Sequence, residues 1–215
     1  EKYFQLEGLA YRLVPYSSQS KDGQTGSVNA EKMYERLVKQ FHWGGFNNSS
    51  LYFDETNTRM VMNFRNNYAR LAEALLQKGD TNRCIITLDK CVNEFPSNVV
   101  KLSYFAIPII DIYLKAGEIE KGEKILAEMM DSYLTEYNYL KAFKANTGVK
   151  QDLNLSGQIL ASLARVLQIH QLQNSTYNYL YENEQYYREK NEDRDTINYT
   201  KYRINTFMND YLELQ

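Results

Sequence analysis

The residues of this chain whose types could do chemistry are few, and their spacing argues against most of it. The two histidines, His42 and His170, lie far apart in sequence, and no cysteine or carboxylate cluster has ligand spacing around either. No metal site is predicted. Cys84 and Cys91 stand seven apart on one predicted helix. At about 1.5 Å per residue their Cα atoms would be roughly 10 Å apart, beyond the ~7 Å reach of a disulfide. They read as buried small residues and leave the redox compartment undecided. Acidic pairs such as Asp54-Glu55 and Glu192-Asp193 read as helix caps or solvated charge, not as the desolvated carboxyl pair of a glycosidase. The chain carries no G-x-S-x-G, no Cys-His arrangement and no phosphate loop. We therefore expect no catalytic residue, no cofactor and no enzymatic activity in this chain.

Binding chemistry is better represented. The run His42-Trp43-Gly44-Gly45-Phe46-Asn47-Asn48, followed by Asp54-Glu55 and Arg59, holds the only tryptophan. A Trp face edged by Asn47, Asn48 and Arg59 could take a sugar or a peptide. The opposing reading makes Trp43 a plug in the seam between two helical hairpins. A second candidate surface is the exposed side of the helix carrying Asn63, Asn67 and Arg70. A third lies in the tyrosine-rich stretch Tyr177 to Tyr202, where Tyr179 and Tyr186 fall on a different helical face from Tyr177, Leu180, Tyr181 and Tyr187. Asp195-Thr196-Ile197 resembles an O-glycosylation acceptor, and N-capping explains the Asp equally well.

These groups need a scaffold, and composition bounds it. Among 215 residues, 27 acidic and 25 basic side chains leave a net charge of −2, with no electrostatic case for nucleic acid or an anionic membrane surface. Three prolines suit long helices, and 19 tyrosines and 20 asparagines are the conspicuous enrichments. No window approaches the ~18 apolar residues of a membrane span. The start at Glu-Lys-Tyr-Phe predicts a piece of a longer chain, with any anchor or targeting signal outside it.

Along the chain, residues 1–16 alternate loosely, Tyr3, Leu9, Tyr11 and Leu13 against Glu7 and Arg12, and predict a short extended segment or hairpin. Ser17 to Gly26 is a polar loop. A helix is predicted over Val28–Trp43, capped by Ser27 or Asn29, with Met33, Leu37 and Phe41 on its apolar stripe. A longer one spans about Asn57–Lys78, with Met60, Phe64, Tyr68, Leu71, Ala72 and Leu75 inward, ended by Gly79. Thr81–Glu94 is its antiparallel partner, closed by Pro96. A looser second copy follows: Ile109, Ile110 and Tyr113 before Gly117, then Gly122 and Leu126, with Pro108 kinking the first helix or marking its first turn. A helix from Ile119 to about Leu140 precedes a break at Ala145–Asp152, and helices 155–173, 175–190 and 195–213 complete the chain.

The spacing Tyr68-x2-Leu71-Ala72-x2-Leu75, Gly79, Cys84-x3-Leu88-x2-Cys91, Pro96 resembles a tetratricopeptide unit, in which short side chains let two helices approach closely. The predicted architecture is mainly α. It comprises an extended segment and polar loop over 1–26, tetratricopeptide-like helical hairpins over 27–144, and a C-terminal helical cap over 153–215. The phrases QLEGLAYRLVPY (Gln5 to Tyr16), WGGFNN (Trp43 to Asn48), YFDETNTRM (Tyr52 to Met60), RNNYARLAEAL (Arg65 to Leu75) and Leu88-Asp89-Lys90-Cys91 add a second resemblance. They resemble the C-terminal soluble tail of a bacterial family of multi-pass membrane proteins whose membrane half is similar to protein O-mannosyltransferases. That resemblance implies an extracytoplasmic module on the periplasmic face of the inner membrane, docking a protein or peptide, or a glycan as the alternative. It carries no catalytic residue onto this chain.

Overall fold

Asp54 starts the helix around which the first part of the chain is built. Its carboxylate accepts the Asn57 amide at 2.8 Å, satisfying one of the donors a helix start leaves open, and α2 runs over Glu55–Gln77. Gly79 ends it at φ +80°, the left-handed conformation that costs glycine least. Asp80 then caps α3 (Thr81–Glu94) by accepting the Arg83 amide at 3.0 Å. The two helices pack as a hairpin. Helix α2 buries Val61, Arg65, Tyr68, Leu71, Ala72 and Leu75, and α3 buries Cys84, Thr87, Leu88 and Cys91. Every small or large position of the predicted pattern from Tyr68 to Cys91 is thus inside.

The structure, a computed structural model, describes residues 2–17, 20, 22–143 and 147–170. It is mainly helical, with a small three-stranded sheet at the N-terminus. The chain forms two units, Glu1–Glu118 and Ile119–Gln215.

In the first unit, β1 (Phe4–Leu6) pairs antiparallel with β2 (Tyr11–Leu13) and parallel with β3 (Ser27–Val28), giving the order β2-β1-β3. The predicted N-terminal hairpin is therefore present. Asn29, whose side chain accepts the Lys32 amide, caps α1 (Ala30–Tyr34). That helix widens into π turns over Glu35–Gln40 and stops there, short of the predicted Trp43. The cause is visible at its end. Phe41 N–H reaches back to Arg36 C=O at 2.8 Å, while the carbonyls of Leu37 and Val38 accept from Tyr68 Oη at 2.8 Å and Lys90 Nζ at 2.6 Å. Side chains of α2 and α3 have replaced the next helical turn as the partners of those carbonyls.

Arg65 does similar work at the far end of α3. Its guanidinium, 1% exposed, donates to the carbonyls of Phe95 at 2.8 Å, Val100 at 2.7 Å and Lys101 at 3.0 Å. Placing Arg65 on the buried stripe rotates α2 relative to the apolar reading, so Met60, predicted inward, is exposed. A short 3₁₀ turn over Tyr104–Ala106 leads into α4 (Ile107–Lys115), with Pro108 in its first turn, where a missing N–H costs nothing.

The second unit contains α5 (Ile119–Lys141) and α6 (Thr147–His170), which pack together. Ser156 Oγ donates to the Glu136 carboxylate at 2.9 Å, and a Cβ on Gly157 would sit 3.5 Å from the Tyr137 ring. Thr147–Asp152 is helical, although it was predicted to be a break. Gly148 is the one poor helix former there, and a single glycine costs only about 1 kcal/mol. The helices of the second predicted copy belong to different units, α4 to the first and α5 to the second. The predicted helices 175–190 and 195–213 lie outside the described residues.

Candidate functional site

The tryptophan is a core residue. Trp43 is 8% exposed, and its ring is enclosed by Phe64, Phe95, Tyr68 and Phe41, with centroids 4.8, 4.9, 5.9 and 6.0 Å away. Its indole N–H donates to Tyr68 Oη at 3.0 Å. Neither ring face is open for a sugar to stack on, so of the two readings of Trp43 weighed from sequence the enclosed plug is the one its surroundings fit, and the binding platform is not. The apolar density around it explains why: Phe46 and Phe53 stack beside the same cluster, with Phe46 5.8 Å from Phe95.

The other sequence candidates do not converge. Asn47 and Asn48 are exposed, and Asn48 Oδ1 closes its own turn by accepting from Ser50 N at 3.0 Å and Oγ at 2.7 Å. Arg59 is exposed and pairs with Glu55 one turn earlier at 2.5 Å. Asn63 is exposed and Asn67 half-buried on α2. Arg70, expected on an open groove, is buried instead. Its Nε donates to Asp22 Oδ2 at 2.6 Å, Nη1 to Tyr11 Oη at 3.0 Å, and Nη2 to the carbonyls of Thr25 at 3.1 Å and Gly26 at 2.7 Å. It clamps the hairpin and the 22–26 loop to α2. Tyr179 and Tyr186 lie outside the described residues.

A cleft of about 250 Å³ opens beside that clamp, lined by Ser20, Asp22, Ser27, Val28, Arg70, Glu73, Ala74, Gln77 and Lys78. Ser20 Oγ donates to Asp22 there. Burial pushes the Asp22 carboxyl up, but hydrogen bonds from Ser20, Arg70 and the Gln24 amide hold it below its ordinary value. A carboxylate so satisfied is a poor general base. Among the described residues, no group of three His, Cys, Asp or Glu side chains is placed to hold a metal.

The surface that stands out was not singled out from sequence as a site. On the N-terminal hairpin Leu6 and Val14 are buried, but most of the large apolar side chains are exposed and the acid faces inward. Leu13 is 72% exposed, with Tyr3, Phe4, Leu9, Tyr11 and Tyr16 also exposed, while Glu7 is 3% exposed. Three cations hold that carboxylate: Lys32 at 2.8 Å, Arg36 at 3.3 Å and Arg12 at 3.7 Å. The Lys32 hydrogen bond, more than any one of the three charges, keeps the Glu7 carboxyl below its ordinary 4.5 against the opposing pull of burial. The alternation of Tyr11 and Leu13 with Arg12 was legible, but not which side of it met the protein.

Strand pairing fixes what each side of the hairpin presents. Val14 N–H bonds Tyr3 C=O and Glu7 N–H bonds Ala10 C=O, so the main-chain groups of Tyr11 and Leu13 point away from β1. Their side chains share a face with Phe4, and Arg12 shares the opposite face with Gln5. Among the described residues nothing pairs with the outer edge of β2.

No protein-family model, curated protein or solved structure matches the chain. Among the described residues no helix is long and apolar enough to cross a membrane.

Proposed function

We propose that this chain is a non-catalytic helical interaction module that docks a protein or peptide on its N-terminal hairpin. The observation that carries the reading is the clustered exposure on the hairpin: Leu13, Tyr11 and Phe4 are exposed together beyond the buried Leu6, while Glu7 is buried by salt bridges. Exposing a clustered apolar face is a cost that folding alone would remove, and such a face suits a binding surface. The rigid backing is supplied by Arg70, which ties the hairpin to the hairpin α2–α3. On the family resemblance, we place the module on the extracytoplasmic side of a bacterial glycosyltransferase-like membrane protein. The glycan-docking alternative loses its main support with Trp43 enclosed.

The test is photo-crosslinking in cells producing the parent protein, with a photoreactive residue replacing Leu13 and, as a control, exposed Lys124. One discrete adduct from position 13, identified as the same polypeptide that copurifies with the parent, supports the reading. That polypeptide should be lost in the variant Phe4→Ser/Leu13→Ser while circular dichroism is unchanged. No adduct at 13, or equal adducts at both positions, overturns it.

A further inference from the structure

We infer that the hairpin takes its partner as an added strand, and that the partner segment is extended and acidic. The inference rests on the docking reading above and names the chemistry of what docks. Tyr11 and Leu13 present two N–H and two C=O groups along the free edge of β2, the arrangement that strand addition uses. On one side of that edge lie Phe4, Tyr11 and Leu13, all exposed. On the other lie Arg12, Lys32 and Arg36, each at least two-fifths exposed in its side chain, around the single carboxylate of Glu7. Three positive charges against one negative leave that side with a formal excess of +2. A strand alternating apolar and acidic residues would lay its apolar side chains on the first face and its carboxylates on the second.

A second copy of this chain fits the edge poorly. Antiparallel pairing of β2 with itself, centred on its middle residue, would set Arg12 opposite Arg12, and like charges directly opposed destabilise a sheet. Arg12 thus disfavours self-pairing in the register centred on it while favouring an acidic strand.

The experiment titrates the purified chain with blocked seven-residue peptides: one alternating valine and glutamate, and one with lysine replacing glutamate. Two further acidic peptides carry N-methyl groups, either on the valines or on the glutamates. The acidic peptide should bind about tenfold tighter than the basic one, and Arg12→Glu, which brings that side to two positive and two negative charges, should abolish that preference. Because Arg12 is a surface side chain, this variant should keep the fold, checked by circular dichroism. Only one N-methyl set should block binding, since alternate amides of an added strand face the edge. Blocking by valine methylation marks an antiparallel strand and blocking by glutamate methylation a parallel one; both support the inference. Equal binding of acidic and basic peptides overturns it, as does acidic binding that survives both methylations. A concentration-dependent dimer abolished by Leu13→Asp, without peptide binding, also overturns it and assigns the edge to a second copy. A position-13 adduct combined with any of these failures would leave the docking module standing without its acidic strand.

Discussion

The indole N–H of Trp43 donates to the hydroxyl of Tyr68 at 3.0 Å, and that hydroxyl passes its own proton to the Leu37 carbonyl at 2.8 Å. One oxygen thus joins the loop after α1, the end of its π turn and the centre of α2. Tyr68→Phe would leave a buried donor and a buried acceptor unpaired, at about 1–3 kcal/mol for each such group. We expect the urea midpoint to fall accordingly, with the emission of the single tryptophan serving as the probe. Trp43→Ala, followed by circular dichroism because it removes that probe, should cost about 3–5 kcal/mol, because it opens a cavity among four aromatic rings.

The two thiols make a prediction about reactivity. Burial pushes Cys91 up to about 12, and burial with the nearby charges of Glu73 and Asp80 pushes Cys84 up to about 11. Since the thiolate is the reactive form, neither should label with a disulfide reagent at neutral pH in the native chain. Both should label once urea unfolds it. Rapid labelling of either under native conditions would contradict the packing of α2 against α3.

What could be read from the residues beforehand follows a physical division. The start of α2 and the stop between α2 and α3 were legible because Asp54 and Gly79 act on their immediate neighbours, whereas the cap at Asp80 was not singled out. The buried faces from Tyr68 to Cys91 were legible because within each of α2 and α3 their spacing has the helical period. Arg65 and Arg70 were not, because a charged side chain goes inside only when carbonyls from distant segments gather around it. That failure displaced Met60 in the reading of α2 and turned a clamp into a supposed groove residue. The burial of Glu7 on the hairpin was missed for the same reason, since it is held by Lys32 and Arg36 from another element.

Acid should loosen that hairpin first. The Glu7 carboxyl is held below its ordinary 4.5 in the folded chain, so its ion pairs stabilise above that value. Their contribution is lost as pH falls through the lower folded value. Asp22, Glu31 and Asp80 are shifted in the same direction and add to the decline. Between neutral pH and about pH 3 the urea midpoint should therefore fall, and fall less steeply in Glu7→Gln, which has already lost the ionised partner. Parallel curves for the two proteins would mean that the cluster around Glu7 does not form in solution.

Two loop glycines separate backbone strain from close packing. Gly23 and Gly26 both adopt left-handed conformations, at φ +71° and +73°. A Cβ on Gly23 would meet nothing within 4 Å, whereas one on Gly26 would lie 2.9 Å from the Phe4 carbonyl oxygen and 3.0 Å from the Tyr11 ring. Gly23→Ala should therefore cost only the conformational strain, about 1 kcal/mol. Gly26→Ala should cost that and more, about 2–4 kcal/mol, because neither a backbone carbonyl nor a ring held by Arg70 can easily give way. Urea unfolding of the two variants side by side measures the difference, which is the part due to the Phe4 carbonyl and the Tyr11 ring closing over Gly26. Equal losses would mean that Tyr11 is free of Gly26, and the face it shares with Phe4 and Leu13 would then lack the fixed shape that docking requires.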